Sequence, residues 1–510
     1  MSSTTDPPGS PSRQFELVRA DVHSWGLSVI ICLLVLLFFV ASCSACWHWY
    51  VIPVFFCGVL LMRDLVAWLS GQVELFDPVG LLGAFGTHLF FLAPLLHVYW
   101  DSWLHYFFAV DLPSDWRPWL GYMAFLNLLG LLIYRMVRKA GTPPPPPASL
   151  LTAWRLRPER VPLVFGGAIG IGTLLELWTL RHFGGVGGII LAYSNRAEGE
   201  AFGEMGRLFM VSEAVPLLAM ILYAIYAQRR RVLASWPILI GVILLFFGAQ
   251  MLFGGLRGSR SNTLYAMVWV IGIMHLTVRR LSVKLISTVG LVLLVSFLYG
   301  YGIYKGGGAE AVQDVTSGRM SLSSMAETTH RDFRSTLLGD LGRADIQAFL
   351  LYRLSRERTF HYGWGRSYLA SLAILVPRSL WPNRPKGKGV EGTALEYGPG
   401  TMPEGMYSSR VYGLQGEALL NFGPMGVPLA FLGWGLLIRA IRRRIRSGQR
   451  QGTLIFLAPF LVTLCLVTLL GNADNALFYT FKNGSIPFLI LYLVSTKEKR
   501  LPAVSNTVED

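Results

Sequence analysis

The chain has 510 residues, of which 53% are apolar and only 15% are charged, and its formal net charge is +15. Runs of about 20 apolar residues recur from end to end, each long enough to cross roughly 30 Å of hydrocarbon, which excludes a soluble globular protein. The basic residues cluster in short loops beside these runs, where they orient membrane helices, so the positive charge does not indicate a nucleic-acid-binding protein.

The apolar runs predict about twelve membrane-spanning helices, and therefore an all-α polytopic membrane protein. In chain order these spans cover about 25–45, 47–69, 78–99, 117–136, 161–180, 207–228, 233–254, 262–279, 283–303, 412–438, 453–471 and 476–496. The loops that an even number of spans and a cytoplasmic N-terminus would place inside are all basic, so both termini are predicted to be cytoplasmic.

The same topology divides the chain into membrane-spanning blocks, loops and tails. They are a cytoplasmic N-terminal tail (1–24), four N-terminal spans (25–136), a cytoplasmic proline-rich linker (137–160), spans five to nine (161–303), a large outer loop (304–411), spans ten to twelve (412–496) and a cytoplasmic tail (497–510). The linker contains five consecutive prolines at 143–147, which form a stiff extended spacer. No function is predicted for residues 1–160.

Two cysteines follow the first span and allow two interpretations. Cys43 and Cys46 have C-x-x-C spacing with His48 nearby, but a single pair of this kind is a weak metal signal. Residues 40–43 also resemble a bacterial lipobox, the cleavage motif of lipid-anchored proteins. An uncleaved first span is favoured, because nothing else in the chain is typical of an exported soluble protein.

The large outer loop contains three segments with distinct patterns. Between 340 and 353, Leu341, Ile346, Phe349, Leu350 and Arg353 recur at near-helical spacing, which predicts an amphipathic helix lying on the spans or the bilayer. Residues 368–376 are apolar but too short to span, which predicts a re-entrant or interfacial helix that ends at a proline. Residues 381–389 are rich in proline and glycine, which predicts an irregular loop that presents three cations.

The stretch "GGLRGSRSN" at 254–262 carries Arg257 and Arg260 in a short outer loop, against the positive-inside trend. Further basic residues are predicted on the same face: Arg196, Arg343, Arg353, Arg378, Arg384 and Lys386. Guanidinium groups bind phosphate oxygens in a bidentate manner, so the group of cations predicts an anion site. The alternative is that these residues contact lipid headgroups or pair with carboxylates such as Asp345 and Glu417.

Few carboxylates lie where they could transfer protons. Glu417 lies where the outer loop re-enters the membrane, and a carboxyl at that depth is unfavourable unless it is paired or functional. Glu176 and Glu213 lie near the outer ends of the fifth and sixth spans, with a structural pair to an arginine as the alternative. His361, in the outer loop, is a second candidate base.

Several motifs are absent from the sequence, which narrows the function. There is no Walker G-x-x-x-x-G-K-[ST] for nucleotide hydrolysis and no Asp-x-Asp metal pair of nucleotide-sugar transferases. The first outer loop, 44–50, contains no acid, which argues against lipid-sugar-dependent transferases with a catalytic carboxylate there. We therefore expect neither a metal nor a cofactor.

Four segments together resemble the Wzy-type polymerases, which join oligosaccharide repeat units into bacterial O-antigen and exopolysaccharide. They are the glycine pair followed by Arg196, "GSRS" at 258–261, "YGWGRSYLASLAILVPRSLWPNRPKGK" at 362–388 and "GEALLNFGPMGVPLAFLGWG" at 416–435. The resemblance covers about the middle and C-terminal two thirds of the chain, and it rests on the combination of these motifs, because no single motif is diagnostic in this highly divergent family.

The resemblance implies a GT-C-like bundle that transfers a growing glycan from undecaprenyl pyrophosphate to a hydroxyl of an incoming lipid-linked repeat unit. It implies Glu417, Arg260 and His361 as catalytic residues. Substrate or pyrophosphate binding would fall to Arg196, Arg257, Arg343, Arg353, Arg378, Lys386 and Asn421. Fixed cations in a low-dielectric pocket would stabilise the charge growing on the leaving pyrophosphate without a metal. Expected partners are the lipid-linked oligosaccharides, the bilayer, a flippase and a chain-length co-polymerase.

Three alternatives stay open at this stage. A ligase that transfers finished glycan to another acceptor shares the same architecture. A flippase of lipid-linked sugar would also combine twelve spans with a cationic cavity, although a long outer loop is unnecessary for alternating access. A purely structural membrane scaffold would not retain so many polar groups near the membrane.

Overall fold

The computed structural model describes residues 11–104, 110–139, 152–194, 205–257, 260–321, 324, 333–357, 360–376, 380–385, 387–398, 410–446 and 452–499. The α-helices are α1 (Pro11–Ser42), α2 (Val51–Leu69), α3 (Pro78–Thr87), α4 (Ala93–Tyr99), α5 (Arg117–Lys139), α6 (Val161–His182), α7 (Val186–Ser194), α8 (Gly206–Ser212), α9 (Val215–Ala227), α10 (Trp236–Phe253), α11 (Arg260–Ile273), α12 (Val283–Thr316), α13 (Phe333–Ser335), α14 (Ala344–Arg356), α15 (Arg366–Ala373), α16 (Lys388–Tyr397), α17 (Gly413–Phe422), α18 (Gly426–Arg446), α19 (Ala458–Leu470), α20 (Ala473–Phe478) and α21 (Gly484–Leu493).

Short helical turns of other types and two strands complete the described part of the chain. The 3₁₀ turns are Ser44–Cys46, Arg231–Ala234, Gly255–Arg257 and Thr453–Phe456, and the π turns are His88–Leu92, Met274–Val278, Thr336–Asp340 and Tyr479–Asn483. The strands are β1 (Thr152–Leu156) and β2 (Ser495–Lys499). The predicted all-α class is confirmed.

Ten helical segments are long and apolar enough to cross a membrane, by length and composition among the described residues. They are Asp21–Ser42, Val51–Leu69, Pro78–Tyr99, Arg117–Arg138, Val161–His182, Leu208–Ala227, Trp236–Arg257, Arg260–Val278, Val283–Tyr304 and Thr453–Leu470. They correspond to the first nine predicted spans and the eleventh, and they confirm a multi-pass membrane protein. The other two predicted spans are helical but interrupted, between α17 and α18 and at Tyr479–Asn483.

The chain forms two compact units, each built from separate stretches of sequence. Unit 1 comprises Met1–Arg138, Leu337–Leu436 and Thr468–Asp474, and unit 2 comprises Lys139–Thr336, Leu437–Val467 and Asn475–Asp510. Unit 1 therefore joins the first four spans to most of the outer-loop helices, and it contains Glu417.

In unit 1, α2 packs tightly against the helical segment Pro78–Tyr99, which starts with α3. A Cβ atom at Gly83 would lie 2.7 Å from the backbone nitrogen of Leu65, and one at Gly58 would lie 2.6 Å from the Phe91 ring. Small residues let membrane helices approach this closely, because van der Waals packing replaces the hydrophobic effect within lipid. The glycines thus fix the second and third spans against each other.

A buried ionic cluster joins α1, α2 and α5 in unit 1. The Asp64 carboxylate accepts hydrogen bonds from Arg138 at 2.7 Å, Arg63 at 3.0 Å and Arg135 at 3.4 Å. Arg63 also pairs with Asp21. Charges within membrane spans are retained only when they are paired, and Asp64 is the shared partner of three cations.

Unit 2 contains the two-stranded sheet, which pairs the predicted cytoplasmic linker with the predicted cytoplasmic tail. Strands β1 and β2 are antiparallel, with Thr152 opposite Lys499 and Leu156 opposite Ser495. Thr453 also bonds to the Trp154 carbonyl at 3.2 Å, which brings a third segment that was predicted to be cytoplasmic to the same place.

The predicted outer segments of unit 2 meet one another in the same way. Tyr301 and Tyr304 donate to the carbonyls of Gly255 and Leu256, at 2.6 and 2.9 Å. Helix α12 continues to Thr316, although the ninth span was predicted to end at 303. The candidate span itself, Val283–Tyr304, agrees with the prediction, and the helix continues for twelve residues beyond it through three consecutive glycines.

The predicted outer-loop helices are present in unit 1. Helix α14 matches the amphipathic prediction, but residues Ala344 and 346–352 are buried in the protein, because α14 packs against α17 and α4. Helix α15 matches the short apolar segment. The prediction that 381–389 is irregular was wrong at its end, since α16 begins at Lys388, whose side chain is buried.

Candidate active site

Glu417 lies at the centre of a buried polar network in unit 1. Its side chain is only 1% exposed, its Oε1 accepts a hydrogen bond from the Ser367 hydroxyl at 2.6 Å, and its Oε2 accepts from the Ala473 backbone N–H at 2.6 Å. The Asn421 amide donates to the Ser367 oxygen and to the Glu417 carbonyl, both at 2.8 Å, and its Oδ1 accepts from the Gly365 N–H at 3.0 Å. The network therefore fixes the orientation of the carboxylate.

The local sequence explains this arrangement. Glu417 and Asn421 are four residues apart in α17, so they share one face of the helix. A Cβ atom at Gly416 would lie 2.6 Å from the Tyr412 side chain and 3.4 Å from Leu350, so only glycine fits there. Helix α17 ends at Gly423, whose φ of 67° is readily adopted by glycine.

A second set of polar side chains lies at the start of α17. Gln347 donates to the Tyr412 carbonyl at 2.9 Å and to Gln415 Oε1 at 3.1 Å, and Asn472 accepts from the Tyr412 N–H at 3.1 Å. The Nε2 of Gln415 is buried and has no hydrogen-bond partner among the described residues. An unsatisfied buried donor is uncommon in a native structure, so the network has spare hydrogen-bonding capacity.

Lys388 supplies a buried cation in the same unit. Its Nζ donates to the Arg410 carbonyl at 2.9 Å and lies 5.3 Å from the centre of the Tyr412 ring. The Tyr412 hydroxyl donates to Glu396, which also lies 3.9 Å from the Arg410 guanidinium. Burial lowers the pKa of Lys388, and the nearby carboxylates oppose that shift without cancelling it.

Of the predicted site residues, Glu417 and Asn421 are brought together. Arg343 instead donates to the backbone carbonyls at the end of the preceding turn, and Arg353 bonds to the Leu395 carbonyl at 3.3 Å and pairs with Glu357 at 3.6 Å. Both arginines therefore stabilise backbone and helix in this structure. His361 lies in the exposed segment that precedes α15.

In unit 2, Arg257 is buried in an ion-pair cluster. It bonds to both carboxylate oxygens of Glu176, lies 3.6 Å from Glu213 and stacks on the Phe209 ring at 4.1 Å. Lys482 pairs with Glu213 at 2.8 Å, so two cations face two carboxylates and the formal charge sums to zero. The structural pairing left open as the alternative for Glu176 and Glu213 is present, and pyrophosphate binding by Arg257 stays a prediction.

The remaining predicted site residues are Arg260 and three residues that the structure does not describe. Arg260 is half-buried and begins α11. The positions of Arg196, Arg378 and Lys386 lie outside the described residues.

The Nε and Nη1 atoms of Arg257 are buried without a hydrogen-bond partner in the part of the chain that the structure describes, so this arginine keeps donor capacity beyond its ion pair.

Sequence reasoning missed several members of the Glu417 network. Ser367, Glu396, Tyr412 and Asn472 are all buried, yet none was predicted as a site residue. Ser367 and Ser371 recur four residues apart in an otherwise apolar helix, which is the signal that could have placed Ser367 on the inner face. No comparable signal marks Asn472.

Two further observations come from comparison with known proteins and from the placement of possible metal ligands. Comparison of the chain with known protein families, with curated proteins and with solved structures finds no match. Among the residues that the structure describes, no group of three or more His, Cys, Asp or Glu side chains is placed to hold a metal ion.

Proposed function

We propose that the protein polymerises undecaprenyl-pyrophosphate-linked oligosaccharide repeat units into a surface polysaccharide at the outer face of the bacterial cytoplasmic membrane. It would act as a metal-independent glycosyltransferase with a GT-C-like fold. The observation that carries the proposal is the buried network around Glu417, in the segment that resembles Wzy-type polymerases. Ionisable groups in a membrane protein are unfavourable unless function requires them, so such a network is a functional candidate.

The proposed reaction joins an acceptor hydroxyl to the anomeric carbon of the growing glycan. The hydroxyl oxygen forms the new glycosidic bond, its proton passes to Glu417, and the bond between the anomeric carbon and the pyrophosphate breaks. Fixed cations would stabilise the charge on the departing pyrophosphate, and the resemblance to Wzy-type polymerases implies Arg260 for this role. The Ser367 hydroxyl, 2.6 Å from Glu417, has the geometry that an acceptor hydroxyl would need for this proton transfer.

The proposed topology has twelve spans, with both termini in the cytoplasm. The pairing of β1 with β2 supports an even number of crossings between residues 156 and 495. Six of the apolar candidate spans lie between these residues, so an even number results if both interrupted segments cross or if neither does. The proposed twelve spans require that both α17–α18 and α20–α21 cross. Irregular backbone at membrane depth is tolerated where protein covers it, as at Gly423.

The first experiment is polymerisation in vitro by the purified full-length protein, supplied with single native repeat units on undecaprenyl pyrophosphate. The unmodified protein is expected to produce a ladder of lipid-linked products on a gel. Arg260→Ala should slow ladder formation by about 100-fold, as for the loss of one oxyanion-stabilising donor. Arg279→Ala is the matched control, because Arg279 bonds to the Ala234 carbonyl in an exposed segment that is predicted to be cytoplasmic.

Absence of a ladder from a verified native repeat unit would contradict the proposal. Transfer of finished glycan to a different acceptor would then identify a ligase, and transport of lipid-linked sugar across proteoliposomes would identify a flippase.

The lowered pKa of Lys388 predicts how kcat/KM for polymerisation changes at alkaline pH. If the Lys388 cation supports turnover, kcat/KM should fall as pH rises through a pKa below the ordinary 10.5. Lys388→Arg keeps the charge at all accessible pH values, so it should move this decline to higher pH. An unchanged decline in Lys388→Arg would show that another group titrates there.

The lowered pKa of Lys388 also makes the free energy of unfolding depend on pH. The unfolded chain binds this proton more tightly than the folded protein, so stability rises with pH between the lowered pKa and about 10.5. Unfolding experiments on wild type and Lys388→Arg across that range should show the rise only in wild type.

A further inference from the structure

Trp364 has a backbone conformation that is unusual for a large side chain. Its φ is +46°, and its neighbour Gly365 has φ +88°. Bulky residues rarely adopt positive φ, and such strain persists only where the surrounding structure imposes it, often at ligand-binding sites. Despite this conformation, the residue is 77% exposed, so packing inside the protein does not explain why a tryptophan stands there.

Hydrogen bonds hold this turn against α17. The Gly363 N–H donates to the Leu420 carbonyl at 3.1 Å, and the Trp364 N–H donates to the Asn421 carbonyl at 2.9 Å. The Gly365 N–H donates to the Asn421 side chain at 3.0 Å. Asn421 is also the residue that holds Ser367 against Glu417, so one side chain positions both the exposed indole and the candidate base.

Trp364 is close in sequence to a residue that contacts Glu417. Trp364 precedes Ser367 by three residues, and three residues span at most about 10 Å between Cα atoms. Ser367 bonds directly to the Glu417 carboxylate. The Cα atom of Trp364 therefore lies within about 10 Å of the residue that bonds to the proposed base.

The surroundings of Trp364 combine aromatic and polar groups. The Phe422 ring lies 6.3 Å away in an edge-to-face arrangement, and Tyr368 stacks on Phe422 at 6.2 Å with an interplanar angle of 18°. His361 and Arg366 are exposed on the same segment. A pyranose presents C–H groups on one face, which suit the negative face of an aromatic ring, and hydroxyls at its edge, which suit polar side chains.

We propose that Trp364 is a stacking platform for a pyranose ring of the oligosaccharide substrate, one subsite away from Glu417. This inference rests on the proposed function and adds a saccharide subsite to it. Contact with the bilayer explains Trp364 less well, because an interfacial tryptophan requires no strained backbone. The neighbouring apolar residues Leu369 and Leu372, 50% and 55% exposed on α15, provide a lipid-facing surface by themselves.

The test uses the full-length protein in nanodiscs and two readouts. The first is the KM and kcat for lipid-linked repeat units. The second is the binding of the free repeat-unit oligosaccharide, released by mild acid from the lipid-linked fraction, measured by saturation-transfer NMR. Trp364→Gly should weaken binding and raise KM by about tenfold, as for the loss of a tryptophan anchor, with kcat changed less than threefold. Trp364→Phe should stay within about threefold of wild type on both readouts.

A melting curve separates this role from a structural one. Glycine adopts positive φ without strain, so Trp364→Gly should unfold at the same or a higher temperature than wild type while it loses binding. Trp364→Leu should lose binding as Trp364→Gly does. Retained binding in Trp364→Leu would overturn the proposal in favour of apolar contact with lipid, and so would an unchanged KM in Trp364→Gly.

The two proposals can fail separately. A ladder that forms equally well with Trp364→Gly would remove the platform and leave the polymerase. Oligosaccharide binding that depends on Trp364, without any ladder, would support the platform and remove the polymerase. Absence of both binding and ladder in the wild-type protein would overturn both.

Discussion

Glu417→Gln is expected to slow the joining of repeat units by about 1,000-fold, within the range for loss of a general base. The amide has nearly the same shape as the carboxylate and still accepts the Ser367 hydrogen bond through its oxygen, but it cannot take the acceptor proton. The effect should therefore lie in kcat, with KM nearly unchanged. Single-turnover formation of the dimeric lipid-linked product measures this rate directly.

The matched control is Glu357→Gln, which removes a half-exposed carboxylate directly after α14 that pairs with Arg353. It should leave the rate within about twofold of wild type, since surface ion pairs contribute little. In Glu417→Gln, the new NH₂ group replaces the oxygen that accepts from the Ala473 N–H, so two donors would face each other. Size-exclusion and melting profiles of this variant must therefore match those of wild type. Full activity in a folded Glu417→Gln would exclude this carboxylate as the base and direct attention to His361.

Asp64→Asn is expected to lower the free energy of unfolding by about 3–5 kcal/mol, which is the usual cost of removing one partner of a buried ion pair. The substitution leaves Arg63, Arg135 and Arg138 near one another without the carboxylate that they share. Asp64 is 2% exposed, so water cannot replace the lost charge. Reversible unfolding in mixed detergent micelles measures the change.

Asp21→Asn provides the comparison, because Asp21 also pairs with Arg63 but is 43% exposed. Its effect should be below about 1 kcal/mol. Equal effects of the two substitutions would show that the cluster is open to solvent. No effect of Asp64→Asn would show that the three arginines find another counter-charge.

Hydropathy predicted the membrane class and most spans because the cost of exposing polar backbone to lipid leaves few alternatives to long apolar helices. Glu417 was also predictable, since an isolated carboxylate beside an apolar run is itself a signal. The segment around Lys388 was harder: its proline and glycine residues predict a loop, but tertiary burial extends α16 to Lys388. Local sequence patterns contain no information on that burial.

Arg257 illustrates a second limit of sequence reasoning. Its position against the positive-inside trend was interpreted as evidence for an anion, with a phosphate group favoured and a carboxylate as the alternative. That anion in the structure is Glu176, which lies 81 residues earlier in the chain, together with Glu213. Charge patterning predicts that a counter-charge is needed but does not identify a partner so distant in sequence.

The bonds from Glu417 to Ala473 and from Tyr412 to Asn472 also set an order of events during synthesis. Their partners are 56 and 60 residues apart, so at about 5–20 residues per second the ribosome delivers the second partner roughly 3–12 s after the first. During that interval the Glu417 carboxylate lacks one of its two hydrogen bonds. A chain that stops at residue 470 lacks both partners, so we expect such a truncation to be degraded rather than to accumulate.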